Sequence, residues 1–164
     1  MLNEQIVRKF GNKLRVRVCG ICVEDDKILL VKHHALGEKG VLWAPPGGGM
    51  HFGTSAEENL RREIREETGL DVRVEKFLFI HEFLDPPLHA VELFFKVRII
   101  DGNLVTGTDP EMSGQEQIIS DVRFVPFEEI TSSSGMYYHN IFTICKDLSK
   151  IQELQGYFIF SKKP

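Results

Sequence analysis

The stretch Pro46–Leu70, PGGGMHFGTSAEENLRREIREETGL, decides how the rest of the chain is read. It opens with Gly47-Gly48-Gly49, residues that accept backbone conformations and close approaches a Cβ resists. Thr54 and Glu57 then have the Thr-x-x-Glu spacing of a capping box, and Gly69 stands where a left-handed cap would end a helix. The interval predicts one helix of about four turns. On it Ala56, Leu60, Ile64 and Thr68 form an apolar stripe, while Glu63, Glu66 and Glu67 share the adjoining sector. The three acids are therefore expected at the edge of the buried face. Crowded carboxylates repel, and their joint ionisation is unfavourable unless a cation lies among them. A hard divalent ion, Mg²⁺ or Mn²⁺, suits such an all-oxygen site, with the carbonyl of Gly47 as a further ligand. The alternative is a solvated charged face, since Glu57/Arg61 and Glu58/Arg62 are ordinary i,i+4 pairs.

Gly48 followed by Arg62-Glu63-Ile64-Arg65-Glu66-Glu67-Thr68-Gly69-Leu70 resembles the Nudix box, G-x5-E-x7-R-E-U-x-E-E-x-G-U with U aliphatic, without a gap. One position departs. The first Glu of the box falls on Thr54, and the acid often seen three places earlier falls on His51. In the family that first Glu commonly pairs with the box Arg, so Arg62 is left to Glu58, Glu66 or a more distant partner. Thr54 remains a good N-cap.

The resemblance implies an α/β fold, the Nudix-type α/β/α sandwich with a mixed β-sheet between helices. It also implies MutT-like or ADP-ribose pyrophosphatase-like chemistry: cleavage of the diphosphate linkage of a nucleoside diphosphate derivative with Mg²⁺ or Mn²⁺. Carried onto this chain, Glu63, Glu66 and Glu67 hold the metal together with Gly47, and Arg62 steadies the carboxylates. A later loop, Asp109–Glu116, supplies the proton acceptor and a further ligand, Glu116 first and Glu111 second. Pro86, Pro87 and then Glu92 stand near positions that some ADP-ribose-cleaving members use, which points to ADP-ribose or a nucleotide sugar. Gly48, His51, Lys32 and Glu92 are the candidate substrate contacts; His81 and His89 are candidates for a base or sugar. A Nudix-fold module that has lost turnover and senses a nucleotide is the competing reading, favoured by Thr54 and His51 and opposed by the intact acids of the helix.

The composition agrees with a small-molecule enzyme. A chain of 164 residues with net charge −4 is read as one domain that does not grip a nucleic-acid backbone. An anionic substrate would need a cation to bridge it. No apolar run approaches the ~20 residues of a membrane span, and the first residues lack the apolar core of a signal peptide, so a cytoplasmic location is expected. Cys19-x-x-Cys22 lies in an alternating strand pattern that sends the two thiols to opposite faces, so these and Cys145 are expected reduced and buried.

In order, residues 1–13 form a polar leader, read as an added strand or a homodimer contact. Leu14–Val23 and Lys27–Val31 are predicted to pair as a hairpin across Asp25-Asp26, followed by a polar loop from His33 to Gly40 and a short strand at Val41–Trp43. Beyond the 47–70 loop and helix, Val72–Leu84 and Val91–Ile99 are long strands, the second with Glu92, Lys96 and Arg98 on its polar face. Asp101–Ser120 lacks periodicity and reads as a functional loop. Val122–Val125 is a strand, Pro126–Ile130 turns into a helix, and Ile141, Ile144, Cys145 and Leu148 mark one face of another. In the 151–164 tail, Tyr157–Phe160 is an edge strand or a partner contact.

Overall fold

The computed structural model describes residues 4–37, 39–110, 112, 117–133 and 137–161. Helix α2, Ala56–Thr68, lies where its sequence places it, but its cap is one residue later than expected. Ser55 is the N-cap: its hydroxyl accepts from the Glu58 N–H at 3.2 Å and the Glu58 carboxylate accepts from the Ser55 N–H at 2.8 Å. The reciprocal box is thus Ser55/Glu58, because the Thr54 hydroxyl is engaged elsewhere, donating to the His51 carbonyl at 3.0 Å and accepting from Asn59 Nδ2 at 2.5 Å. Gly69 ends the helix at φ 74°, as predicted. Beyond it, the N–H groups of Val105, Gly107 and Thr108 bond the carbonyls of Thr68, Glu67 and Glu66 at 2.9, 2.9 and 3.1 Å, satisfying the acceptors a helix end leaves open. Leu60, Ile64 and Thr68 are fully buried, and Glu63 and Glu67 are carried in beside them at 6% and 4% exposure.

Among the described residues the strands form two sheets. The mixed sheet runs β5 (Gly47–Gly49), β1 (Lys13–Ile21), β7 (Leu88–Gly102), β6 (Leu70–Asp85) and β9 (Gly156–Ser161). In it β1 is parallel to β7 and β9 is parallel to β6, while β5 is antiparallel to β1 and β6 to β7. The antiparallel sheet joins β2 (Val23–Glu24), β3 (Lys27–His34), β4 (Val41–Ala44) and β8 (Ile119–Pro126). Apolar cores lie against both faces of the sheets. On one side Leu60 and Ile64 of α2 pack on Val18, Val97, Leu29 and Val122. On the other, Ile21, Leu30 and Phe79 meet Ile130 of α3 (Phe127–Ser132) together with Ile141 and Ile151. Helices therefore cover a mixed sheet, as the box implied.

Several expectations change. The leader contains a helix, α1 (Glu4–Phe10), rather than a strand: Ile6 and Phe10 fall on one helical face and Ile6 is buried at 1% exposure. The hairpin is only Val23-Glu24 against Lys27-Ile28, turning through Asp25 and Asp26 at φ 47° and 58°. The chain changes sheets after Ile21, so β1 pairs with β7 and β3 pairs with β8. The glycine stretch is a short strand, and β3 continues to His34, which removes His33 and His34 from the expected loop. The predicted helix over Ile141–Leu148 is broken into a 3₁₀ turn, Asn140–Thr143, and α4, Leu148–Ile151, because Asp147 accepts from the Lys150 N–H at 2.9 Å and starts a new helix there. Ile141, Cys145 and Leu148 are still buried, and Ile144 is half-buried. The tail strand Gly156–Ser161 takes the sheet edge, and the three cysteines are buried and free, Cys19 and Cys22 in opposite cores.

The shifted cap separates two neighbouring hydroxyls. Replacing Ser55 with Ala should cost about 1 kcal/mol in urea unfolding. Thr54→Val should cost about half as much or less, because the Ser55/Glu58 box survives it.

Candidate functional site

The site forms where β5 lies against β1 and under α2. Gly49, Gly48 and Gly47 face Arg17, Val18 and Cys19 in antiparallel register. The Gly47 N–H donates to Glu67 Oε2 at 2.8 Å. A Cβ on Gly48 would lie 2.5 Å from both carboxylate oxygens of Glu63, so a side chain there would displace the acid. Glycine is required for the helix carboxylates to rest on the strand backbone.

Burial, then the nearby charge of Glu67, push the Glu63 carboxyl up to about 7 against the opposing pull of Arg62. Arg62 reaches Glu63 Oε1 at 2.7 Å and Glu66 Oε2 at 2.8 Å. Of the partners expected for it, Glu66 is present; Glu58 is drawn to Ser55 instead, and the i,i+1 neighbour Glu63 takes its place. Glu66, tied to Arg62, is not among the residues lining the cleft, whereas Glu63 and Glu67 are. The donor set fits a hard divalent cation: two buried carboxylates, one held reluctant to ionise, line the cleft together with the backbone of Gly47.

The cleft is also lined by Phe10, Arg15, Arg17, His33, Leu36 and Asp109. The guanidinium of Arg15 stacks on Phe10 with its carbon 4.0 Å from the ring centroid. His33, 6% exposed, has Nε2 at 3.7 Å from Glu67 Oε1. Arg17 donates from Nη2 to the Gly47 carbonyl at 3.2 Å and holds Nη1 at 3.6 Å from Glu92 Oε1.

Beneath Arg17, Glu92 is 3% exposed and has His81 Nδ1 at 3.0 Å and His139 Nε2 at 2.9 Å. The Ile141 N–H donates to His139 Nδ1 at 3.3 Å, which leaves Nε2 as the nitrogen that donates to Glu92. Burial opposes ionisation of Glu92, but His139, His81 and Arg17 outweigh it and hold the carboxyl well below the usual range. These three side chains lie close enough to bind a metal. With both imidazoles hydrogen-bonded to the carboxylate and a guanidinium alongside, a second cation would add charge to a group already balanced. We therefore read the cluster as a hydrogen-bonded support.

The structure thus brings together Gly47, Gly48, Glu63 and Glu67, with Arg62 and Glu66 at their edge. His51 is exposed, its Nε2 3.5 Å from Arg62. Lys32 lies on the strand face opposite buried His33, with Nζ 5.8 Å from the Trp43 ring centroid, and does not line the cleft. Glu92 and His81 are sealed from the cleft surface by burial, and His89 pairs with Glu82 at 2.7 Å. Glu116 and Glu111 lie outside the described residues. Arg17 went unrecognised in the sequence. The available signal was its alternation with Arg15 on one face of β1, opposite Leu14, Val16 and Val18.

Residues 12–141 match the family model described as the NUDIX domain. An ADP-ribose pyrophosphatase from Methanocaldococcus jannaschii is 40% identical over 96 residues, 57% of this chain and 56% of that protein. The nucleoside triphosphatase NudI of Enterobacter sp. is 47% identical over 58 residues, 34% of this chain and 40% of that one. The chain spans about half the length of the curated relatives it matches. A solved NUDIX hydrolase from Nitrosomonas europaea has the same fold, with a TM-score of 0.70 at 20% identity, covering 87% of this chain and 93% of that chain. With the box acids folded against the glycine strand and the family model spanning most of its length, the chain belongs to the Nudix family.

Proposed function

We propose that this chain is a single-domain, Mg²⁺- or Mn²⁺-dependent pyrophosphohydrolase that cleaves the diphosphate linkage of a nucleoside diphosphate derivative, with ADP-ribose or a nucleotide sugar as the leading substrate. The observation that carries the reading is the pair Glu63 and Glu67, buried side by side against Gly47 and Gly48 with the Glu63 carboxyl near 7. The name of the Methanocaldococcus jannaschii relative supports ADP-ribose, and that of NudI makes a nucleoside triphosphate the next class to test. No helix among the described residues is long and apolar enough to cross a membrane, which accords with action on a small molecule in the cytoplasm.

In this reading Glu63, Glu67 and the Gly47 carbonyl hold the cation, with Glu66 and Glu116 as further acids. When bound, the ion offsets phosphoryl charge and lowers the pKa of a water molecule. Arg62 fixes the orientation of Glu63 and Glu66 through its two ion pairs. Gly48 lets the diphosphate approach the strand backbone, and His51 stands at the outer rim to meet its charge. Glu116, or failing that Glu111, accepts the proton of the attacking water. The nucleotide-sensing alternative draws on one observation: the Thr54 hydroxyl is bound to His51 and Asn59, leaving Arg62 to pair with the site's own acids.

Release assays with Mg²⁺ or Mn²⁺ over ADP-ribose, nucleotide sugars and nucleoside triphosphates should show turnover of one class. Glu67→Gln should lower the rate at least about a hundredfold with the circular dichroism spectrum unchanged. Saturable binding without product in every class would select the sensor.

Gly48→Ala should weaken Mn²⁺ binding, read by electron paramagnetic resonance titration, by about tenfold or more, since its Cβ would move the Glu63 carboxylate.

The Glu63 carboxyl, near 7 in the fold against an ordinary 4.5, keeps a proton that the unfolded chain has lost between those values. Its contribution to stability is therefore present at low pH and lost as pH rises through about 7. Because the cation needs the ionised acid, the rise in Tm on adding Mn²⁺ should be larger at about pH 8 than at about pH 5.5.

A further inference from the structure

Helix α2 covers only part of the sheet face on which it packs. In the register of the mixed sheet Gly20, Phe95 and Phe77 form one row, and α2 lies over its β1 end, where a Cβ on Gly20 would meet Ile64 Cδ1 at 2.8 Å. Three further rows continue on the same face away from the helix. They cross β1, β7, β6 and β9 from Val18 to Tyr157, from Val16 to Ile159 and from Leu14 to Ser161. Val18 is still under α2, but beyond it the face is open: Leu14, Val16, Tyr157 and Ile159 are 63, 44, 56 and 53% exposed. Ile80, Leu84 and Val91 between them are only half-buried. The opposite face of the same strands is closed, with His81 and Glu92 under the segment that brings in His139 and Phe158 packed on Phe79.

A sheet stabilises a domain by burying its apolar faces, and a contiguous open patch marks a contact surface. Four strands about 4.8 Å apart and three rows about 6.7 Å apart span a plane of roughly 400 Å². That is enough for the apolar centre of an interface whose polar rim completes the ~800 Å² per partner of a standard contact. Within these 164 residues the undescribed runs are of four or fewer, about 14 Å when extended, too short to cover the width of the four strands.

The charge pattern selects the occupant. The charged side chains of the three rows are Glu82 and His89, and they satisfy each other: His89 Nε2 lies 2.7 Å from Glu82 Oε1, and the Tyr157 hydroxyl donates to the other oxygen of Glu82. The face therefore carries its polar groups already paired and offers no charge for a partner to match. Its complement is a surface equally flat, apolar and internally neutral, which a second copy supplies, while the net charge of −4 is carried elsewhere on each chain.

We infer that this face is the interface of a homodimer, in which two copies pack sheet on sheet about a two-fold axis with the rows from Leu14 to Ile159 at its centre. A two-fold contact uses the same patch on both chains and closes at two. The pairing involves neither the cleft nor its acids, so it stands apart from the hydrolase reading.

The test is sedimentation velocity of the full chain over a range of concentrations. At about 50 µM the wild type should sediment with twice the 18.8 kDa of one chain. Ile159→Lys and Val16→Lys change exposed residues and leave the core untouched, so both should fold, as circular dichroism will show, and each should weaken the dimer about a hundredfold by burying an unpaired ammonium. Ile100→Lys is the control: Ile100 is 55% exposed but lies on the other face of β7 near its end, and the dimer constant should stay within about threefold. A wild-type chain that stays monomeric at that concentration would overturn the pairing, whether or not the face takes up phosphatidylcholine vesicles. A dimer that survives both Ile159→Lys and Val16→Lys would place the interface elsewhere and overturn it too, and growth beyond the dimer would overturn the two-fold arrangement.

Discussion

Burying Glu63 and Glu67 against the glycine strand imposes the terms that the surrounding structure meets. Two acids in a seam of low polarity repel each other and lose their water, so each needs a local partner: the Gly47 N–H for Glu67 and the Arg62 guanidinium for Glu63. The helix that carries them is held at both ends. Ser55 and Glu58 close its first turn, and the backbone of residues 105–108 closes its last. Between the ends Leu60 and Ile64 fix its rotation by entering the core under the sheet. Only a helix pinned in translation and rotation can hold carboxylates against a strand with no Cβ to spare. Burial first, and then the repulsion that remains from Glu67, push the Glu63 carboxyl up to about 7.

What was legible in the sequence follows the range of the interactions involved. The helix, its glycine stop, the buried stripe and the acids at its edge are set by spacing within thirteen residues, and all appear where expected. The long strands β6 and β7 and the edge strand β9 are likewise set by local pattern. Sheet membership is not local. The apparent hairpin from Leu14 to Val31 is divided between two sheets because β1 finds its long partner in β7, more than seventy residues away. The helix expected at Ile141–Leu148 has the right apolar period, but Asp147 offers a competing cap that the period does not register.

The site was half legible for the same reason. Residues in the box are found by counting along one segment, whereas Arg17, His33 and Glu92 meet only after three strands have been placed. Alternation along β7 puts Glu92 in phase with Lys96 and Arg98, which reads as a wet face. In the fold that face is closed by Phe94, by His81 and by the segment that brings in His139, so Glu92 becomes the most enclosed acid of the chain's polar clusters. A carboxylate can be kept ionised there because three donors surround it, and Arg17 can be kept charged because that carboxylate lies next to it. The pair places a fixed positive charge directly behind the backbone on which Glu63 and Glu67 rest.

Thr54 in place of the first box acid changes how this balance is struck. With a glutamate there, Arg62 would have had a partner outside the acids of the helix; with threonine, the hydroxyl turns back to His51 and Asn59 and Arg62 closes on Glu63 and Glu66. Glu66 is thereby held away from the cleft, and among the described residues Glu63, Glu67 and Asp109 are the carboxylates that line it. Under the proposed reading, the substitution therefore leaves Glu63 and Glu67 as the box acids that face the ion, and the like-charge strain among the acids is relieved by Arg62, which bridges Glu63 and Glu66.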